Sequence, residues 1–153
     1  MHVDSFLLGD LRDPTTEEKE LMQLAATRII TDDVDRLVAF YESITGVTAV
    51  RLHPLFAELR TDAGTLAIAS SATIPLLGDG AAEAGANRSV TLDFLVDDVD
   101  ASVAALDGKV SDFVNGPVTM PWGNRSLLFR DPDGNLINFF TPVSENAQER
   151  FTR

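Results

Sequence analysis

Asp-Asp-Val-Asp occurs twice in this chain, at residues 32–35 and again at 97–100, 65 positions later. Each copy follows an apolar run suited to a strand (residues 27–31 and 90–96). Each precedes a stretch suited to a helix (residues 37–44 and 103–106). Each half then runs through strand-like segments to a glycine-containing turn and a last strand. The turns are Asp62-Ala63-Gly64 and Asp131-Pro132-Asp133-Gly134; the last strands are residues 66–70 and 136–141. Self-similarity at this period predicts two copies of one strand–helix–three-strand unit in one pseudo-symmetric domain, with equivalent positions facing a shared cavity.

The organisation follows. Residues 1–24 precede the repeat, and Thr15 or Thr16 can cap a short helix there, with Glu17 and Glu18 in its first turn. Module one spans residues 25–73, a Gly- and Ala-rich linker residues 74–88, and module two residues 89–143. Residues 144–153 are a polar tail, expected to be mobile. With 153 residues and 44% hydrophobic content, the two modules can form one folded domain.

Period-two alternation sorts the strand faces. In the second module Val90, Leu92, Phe94 and Val96 share the face expected to meet the helix; Thr91, Asp93 and Leu95 share the other. Moving back 65 positions puts Ala26, Arg28 and Ile30 on the corresponding second face of module one. The first helix should begin near Asp33, bury Val34, Leu37, Val38, Tyr41 and Ile44, and stop at Gly46. The repeated carboxylates therefore read as strand-to-helix corner groups that cap free N–H groups.

Charge and composition exclude several functions. Net charge is −12 and only Lys19 and Lys109 are lysines, so nucleic-acid phosphates find no basic track. No apolar run approaches the ~20 residues of a membrane helix, and the first residues lack the basic-then-apolar pattern of a secretory signal. Without cysteine there is no disulfide or thiolate chemistry, which fits a cytoplasmic location. No phosphate-cradling glycine loop, nucleophile elbow or Cys/His cluster occurs.

The element order, with residues 33–41 (Asp-Val-Asp-Arg-Leu-Val-Ala-Phe-Tyr) and Trp122-Gly123-Asn124-Arg125 leading into residues 131–136, resembles the vicinal oxygen chelate superfamily. That group includes glyoxalase I, extradiol dioxygenases, fosfomycin-resistance enzymes and bleomycin-resistance proteins. The resemblance covers about residues 25–143 and implies an α+β fold of two βαβββ modules whose mixed sheets curl about a cavity.

In metal-dependent members the ligands lie on the first and last strands of each module. Carried over, those positions are Ala26, Thr91, Ile68 and Asn138, with the last strands aligned on Gly64 and Gly134; none is a His or a carboxylate. The two histidines, His2 and His53, read as surface residues, and a register change of two would add only Asp93. The resemblance therefore implies no metal and no other cofactor. It implies a homodimer that binds a small molecule, aromatic or cationic, as antibiotic-sequestering members do. The alternative is a lyase or dioxygenase-like enzyme with ligands placed elsewhere.

The candidate ligand-binding residues are Trp122, Arg28, Asp93, Glu58, Asn138 and Phe56. Trp122, the single tryptophan, either anchors its loop on the core or walls the pocket for a planar ligand. Arg28 and Asp93 occupy equivalent positions with opposite charge, so they either pair with each other or orient a ligand. Glu58 lies between Phe56 and Arg60 on one strand face, and with Asp93 could do acid–base work if the two were close. Arg125 falls on the face opposite Ser126 and Leu128 and reads as structural. The turn at Asp131–Gly134 also reads as structural.

Overall fold

The computed structural model describes residues 21–152. The N-terminal helix expected after Thr15 or Thr16, and His2, lie outside the described residues. The first module is β1 (Thr27–Thr31), α1 (Val34–Thr45), β2 (Val50–His53), β3 (Phe56–Arg60) and β4 (Thr65–Ser70). A 3₁₀ turn (Ser71–Thr73) closes the module, and the four-residue helix α2 (Ile74–Leu77) opens the linker. The second module is β5 (Thr91–Leu95), α3 (Val99–Ala105), β6 (Phe113–Thr119), β7 (Asn124–Arg130) and β8 (Leu136–Pro142).

Each module forms one four-stranded sheet, in the order β1-β4-β3-β2 or β5-β8-β7-β6. In each, the first and last strands pair in parallel and the rest antiparallel. These are curled, unclosed sheets in an α+β arrangement of two βαβββ units. No helix among the described residues is long and apolar enough to cross a membrane.

The repeated motif shapes both corners. Asp33 caps α1 through the Arg36 N–H, and Asp98 caps α3 through the N–H groups of Asp100 and Ala101. The last Asp of each copy anchors an arginine: Asp35 accepts from Arg51 at 2.9 Å, and Asp100 holds Arg125 through two N–H donors at 2.9 and 3.0 Å. Gly46, at φ 72°, ends α1 in the left-handed conformation that glycine adopts without a steric cost.

The helix-side faces of both sheets share one core. Val34, Leu37, Val38, Tyr41 and Ile44 of α1 meet Leu59 and Ile68 of the first module, and the same cluster continues into Leu127, Phe129, Ile137 and Phe139 of the second. Leu92, Phe94 and Val96 pack against it as the alternation requires, but Val90 lies outside β5 and is 52% exposed. Phe139 and Phe140 are buried, whereas Phe113 is 44% exposed.

Two sequence expectations are corrected. Residues 144–151 are not a loose tail: Ser144 caps α4 (Glu145–Phe151), Ala147 is buried, and Phe151 meets Phe140 edge-on at 5.0 Å between ring centres. A polar heptamer gave no periodic signal strong enough to reveal the helix.

The last strands also do not align glycine on glycine. In the first turn the Thr61 N–H reaches the Gly64 carbonyl; in the second the Asp131 N–H reaches the Asn135 carbonyl, one residue further on. Gly64 thus corresponds to Asn135, and Ala67, not Ile68, corresponds to Asn138. The pairings agree, since Arg28 lies opposite Ala67 and Asp93 opposite Asn138. Ile68 is fully buried in the core.

The longer second turn carries a buried polar network. Tyr41, 0% exposed, donates its hydroxyl to Asp131 Oδ2 at 2.6 Å. Asp131 also accepts from the Asp133 and Asn135 N–H groups, each at 2.9 Å, and from Asn135 Nδ2 at 2.8 Å. Asn87 of the linker donates to Asn135 Oδ1 at 3.1 Å. One carboxylate thus holds its own turn, the helix of the other module and, through Asn135, the linker.

Burial first, and the Asp131 charge second, push the Tyr41 phenol far above its ordinary pKa of 10.0. The folded state therefore retains a proton that the unfolded chain releases above pH 10, so stability falls as pH rises past that value, by ~1.4 kcal/mol per pH unit. Because Tyr41 is the single tyrosine, tyrosinate absorbance should appear only as the chain unfolds. Tyr41→Phe should remove this alkaline dependence and, by deleting a hydrogen bond to a buried charge, lower the unfolding free energy by about 1.5–3 kcal/mol in urea at neutral pH.

Candidate functional site

The sheet faces turned away from the helices carry the expected polar side chains. On the first sheet Arg28, Ala67, Glu58 and Val50 form one cross-strand row, and Ile30, Ala69, Phe56 and His53 the next. The alanines at the centre of both rows, Ala67 and Ala69, are buried beneath the longer flanking side chains. The Arg28 guanidinium sits over the Phe56 ring, 5.3 Å from its centre, a cation–π contact. Glu58 accepts from Arg60 at 2.9 and 3.1 Å and is thereby turned along its own strand.

On the second sheet, Asp93 and Asn138 face each other across β5 and β8, and Asn138 Nδ2 donates to Asp93 Oδ1 at 3.1 Å. The Asn138 Oδ1 atom is buried and has no hydrogen-bond partner. An acceptor left in that state costs roughly 1–3 kcal/mol.

Arg28 and Asp93 therefore do not form the mutual ion pair weighed from sequence. Their equivalence within the repeat is real, but they lie on separate sheets with separate partners. Glu58 and Asp93 likewise have separate partners, Arg60 and Asn138, and line no common cleft.

Two clefts follow the seam between the modules. One, of about 280 Å³, lies where Thr27 and Thr65 of the first module meet Thr91, Asp93 and Phe94 of the second. The other, of about 240 Å³, runs along β1 beside the linker and includes Arg28, Ile30, Glu83, Asn87 and Asn135. Arg28 and Asp93 thus enter different clefts. Asn87 and Asn135 were absent from the sequence-based site because the linker has no periodicity that would fold it back onto β1.

Trp122 lines neither cleft. Its ring is 66% exposed in the β6–β7 turn, so it does not anchor that turn on the core. The neighbouring Gly123, at φ 95°, receives the N–H groups of Val143 and Ser144 on its carbonyl, and a Cβ there would overlap the Ser144 side chain. Close approach of the β8–α4 corner thus requires glycine at 123 and leaves the preceding indole outside. Arg125 faces the helix side as alternation predicts. Its hydrogen bonds, and then its charge, hold the Asp100 carboxyl below the usual carboxylate range. Arg125→Gln should return that carboxyl to the ordinary range in a carbon-detected NMR titration, with the sheet-face contacts unchanged.

The residues at the metal-ligand positions do not form a divalent-metal site. The positions implied by the resemblance are Ala26, just before β1, and Thr91 at the start of β5, with Ala67 (in place of Ile68) and Asn138 on the last strands; a shift of two brings in Arg28 and Asp93, which pair with Ala67 and Asn138. One carboxylate and one amide, with a guanidinium in the equivalent place, do not supply the roughly three His or carboxylate ligands that catalytic metals take. Among the described residues no group of three or more His, Cys, Asp or Glu converges in metal-binding geometry. His53 is exposed at the end of β2, where its Nδ1 accepts from the Leu55 N–H at 3.1 Å.

Comparison with known proteins places this geometry. No curated protein matches the chain. Among solved structures, a glyoxalase/bleomycin resistance protein/dioxygenase family enzyme from Burkholderia phytofirmans superposes with a TM-score of 0.71 at 19% identity, covering 80% of this chain and 100% of that one. A glyoxalase/bleomycin resistance protein/dioxygenase from Nocardioides gives 0.68 at 19% identity, covering 94% and 95%. A glyoxalase-related enzyme from Fulvimarina pelagi gives 0.67 at 18%, covering 79% and 88%. At these identities the likeness is one of fold. The family model for the Glyoxalase/Bleomycin resistance protein/Dioxygenase superfamily matches residues 23–139, so the chain belongs to that superfamily.

Proposed function

We propose that this chain binds a small organic molecule without a metal, on the sheet faces turned away from the helices, and that antibiotic sequestration is the use this serves. The observation that carries the reading is the chemistry of the strand positions: a guanidinium and a methyl group at Arg28 and Ala67, a carboxylate and an amide at Asp93 and Asn138. That set orients an organic ligand through hydrogen bonds and charge, where a divalent ion would have to give up its water for poor donors.

Phe56, with Arg28 stacked on its ring, offers an apolar wall, and Asp93, held only by the neutral amide of Asn138, offers negative charge to a cationic substituent; Glu58 would do so on release from Arg60. Trp122, exposed and unattached to the core, is a stacking surface for a planar ligand. The proposal includes a homodimer, since open sheet faces and the edge strands β2 and β6 leave apolar groups such as Leu52 and Leu95 more than half exposed. A lyase or dioxygenase-like activity remains the competing reading, and metal content separates the two.

A thermal-shift screen against natural-product antibiotics, with divalent metals in parallel, tests the reading. A ligand at a hundred times its dissociation constant should stabilise the fold by ~2.7 kcal/mol. Arg28→Ala and Asp93→Ala should each reduce that shift, and binding should change the emission of the single tryptophan. Stoichiometric nickel, iron, manganese or zinc retained after dialysis would defeat the proposal in favour of the enzyme.

A further inference from the structure

A third cleft of about 300 Å³, sharing no residue with the two above, opens between α1, the loop before β6 and the turn after β7. Its lining includes Arg36, Lys109 and Arg130, three of the nine basic residues in the described chain. In a chain with a net charge of −12 that concentration is against composition. Arg51, Arg60 and Arg125 are held in ion pairs, whereas none of these three is paired to a carboxylate among the described residues.

The three cations are placed by backbone contacts. Arg36, Phe40 and Ser43 fall at intervals of four and three along α1 and so share one of its faces. Lys109 Nζ donates to the Ser43 carbonyl at 3.1 Å, which sets the ammonium at the far end of that face and leaves its other N–H groups available. Arg130 Nη1 donates to the Gly134 carbonyl at 3.0 Å, and both residues line the cleft. Ser111 adds a hydroxyl, and half-buried Phe40 an apolar wall. The acids that line it are Asp112 and Asp131, with Asp133 between the lining residues Pro132 and Gly134; both Asp131 oxygens accept hydrogen bonds from the network around Tyr41.

We propose that this cleft binds a small ligand bearing a diphosphate or triphosphate, with the group that carries it resting on Phe40. Extent argues for more than one phosphate: Arg36 and Ser43 are seven residues apart on α1, about 10 Å along its axis, so the cations are spread wider than one tetrahedral anion. The protein's overall negative charge does not oppose this at short range, because salt screens charges beyond about 8 Å under physiological conditions. It does disfavour long polyanions, which would run onto the acidic surface. The site is independent of the metal-free reading above, since it shares no residue with it.

Calorimetric titration with pyrophosphate, ADP and inorganic phosphate, with a chelator present and at about 0.1 M salt, tests the proposal. Pyrophosphate and ADP should bind with dissociation constants below about 1 mM, and inorganic phosphate at least tenfold more weakly. The double variant Arg36→Gln, Lys109→Gln alters two exposed side chains; it should lose at least tenfold in affinity with an unchanged melting temperature. Arg28→Ala should leave the titration as it was. Absence of binding, equal binding of phosphate and pyrophosphate, or unaltered affinity in the double variant would each overturn the proposal.

Discussion

The Tyr41–Asp131 hydrogen bond is the constraint on which the rest of the molecule leans. Two four-stranded sheets with one shared apolar core could slide against each other, because apolar packing is non-directional. A buried phenol and a buried carboxylate cannot: each has one orientation that satisfies it, and leaving either unpaired is costly. The bond runs from α1 of the first module to a turn of the second, and Asp131 is itself fixed by Asp133 and Asn135. Asn87 extends the register to the linker. Both seam clefts, and with them the positions of Arg28 and Asp93, follow from that docking.

Much of this architecture was legible in the sequence because the repeat and the alternation report on different things. The repeat gave the unit and the corners; alternation gave the faces, and Leu92, Phe94, Arg28, Asp93 and Arg125 all lie on the side it predicts. Insertions defeat both signals. A turn longer by one residue shifts Ile68 from the open face to the core and puts Ala67 in its place, and nothing in the glycine spacing announces it. The helix at residues 145–151 was missed for another reason: its hold on the fold comes from a serine cap and two tertiary contacts, Ala147 and Phe151, rather than from a continuous apolar stripe.

The candidate site was legible by type and not by neighbour. Alternation shows that Arg28, Glu58 and Asp93 point away from the helices, and the resemblance adds Asn138. It does not show that Arg28 stacks on Phe56, that Glu58 turns to Arg60, or that Asn138 binds Asp93, since these depend on strand order and register. Trp122 illustrates the limit. Its loop position was right, but its exposure is set by Gly123 and by the approach of a corner twenty residues further on.

The one-residue difference between the two turns also bears on the molecule's ancestry. At the corresponding places the partners of the Tyr41–Asp131 bond are Leu106 in the second module and Thr61 in the first, so the contact runs in one direction only. A chain made of two first modules would carry the phenol with no carboxylate to receive it. A chain made of two second modules would bury the carboxylate without the phenol. The halves have ceased to be interchangeable, and any fused or shuffled descendant of this chain must keep them as a matched, ordered pair.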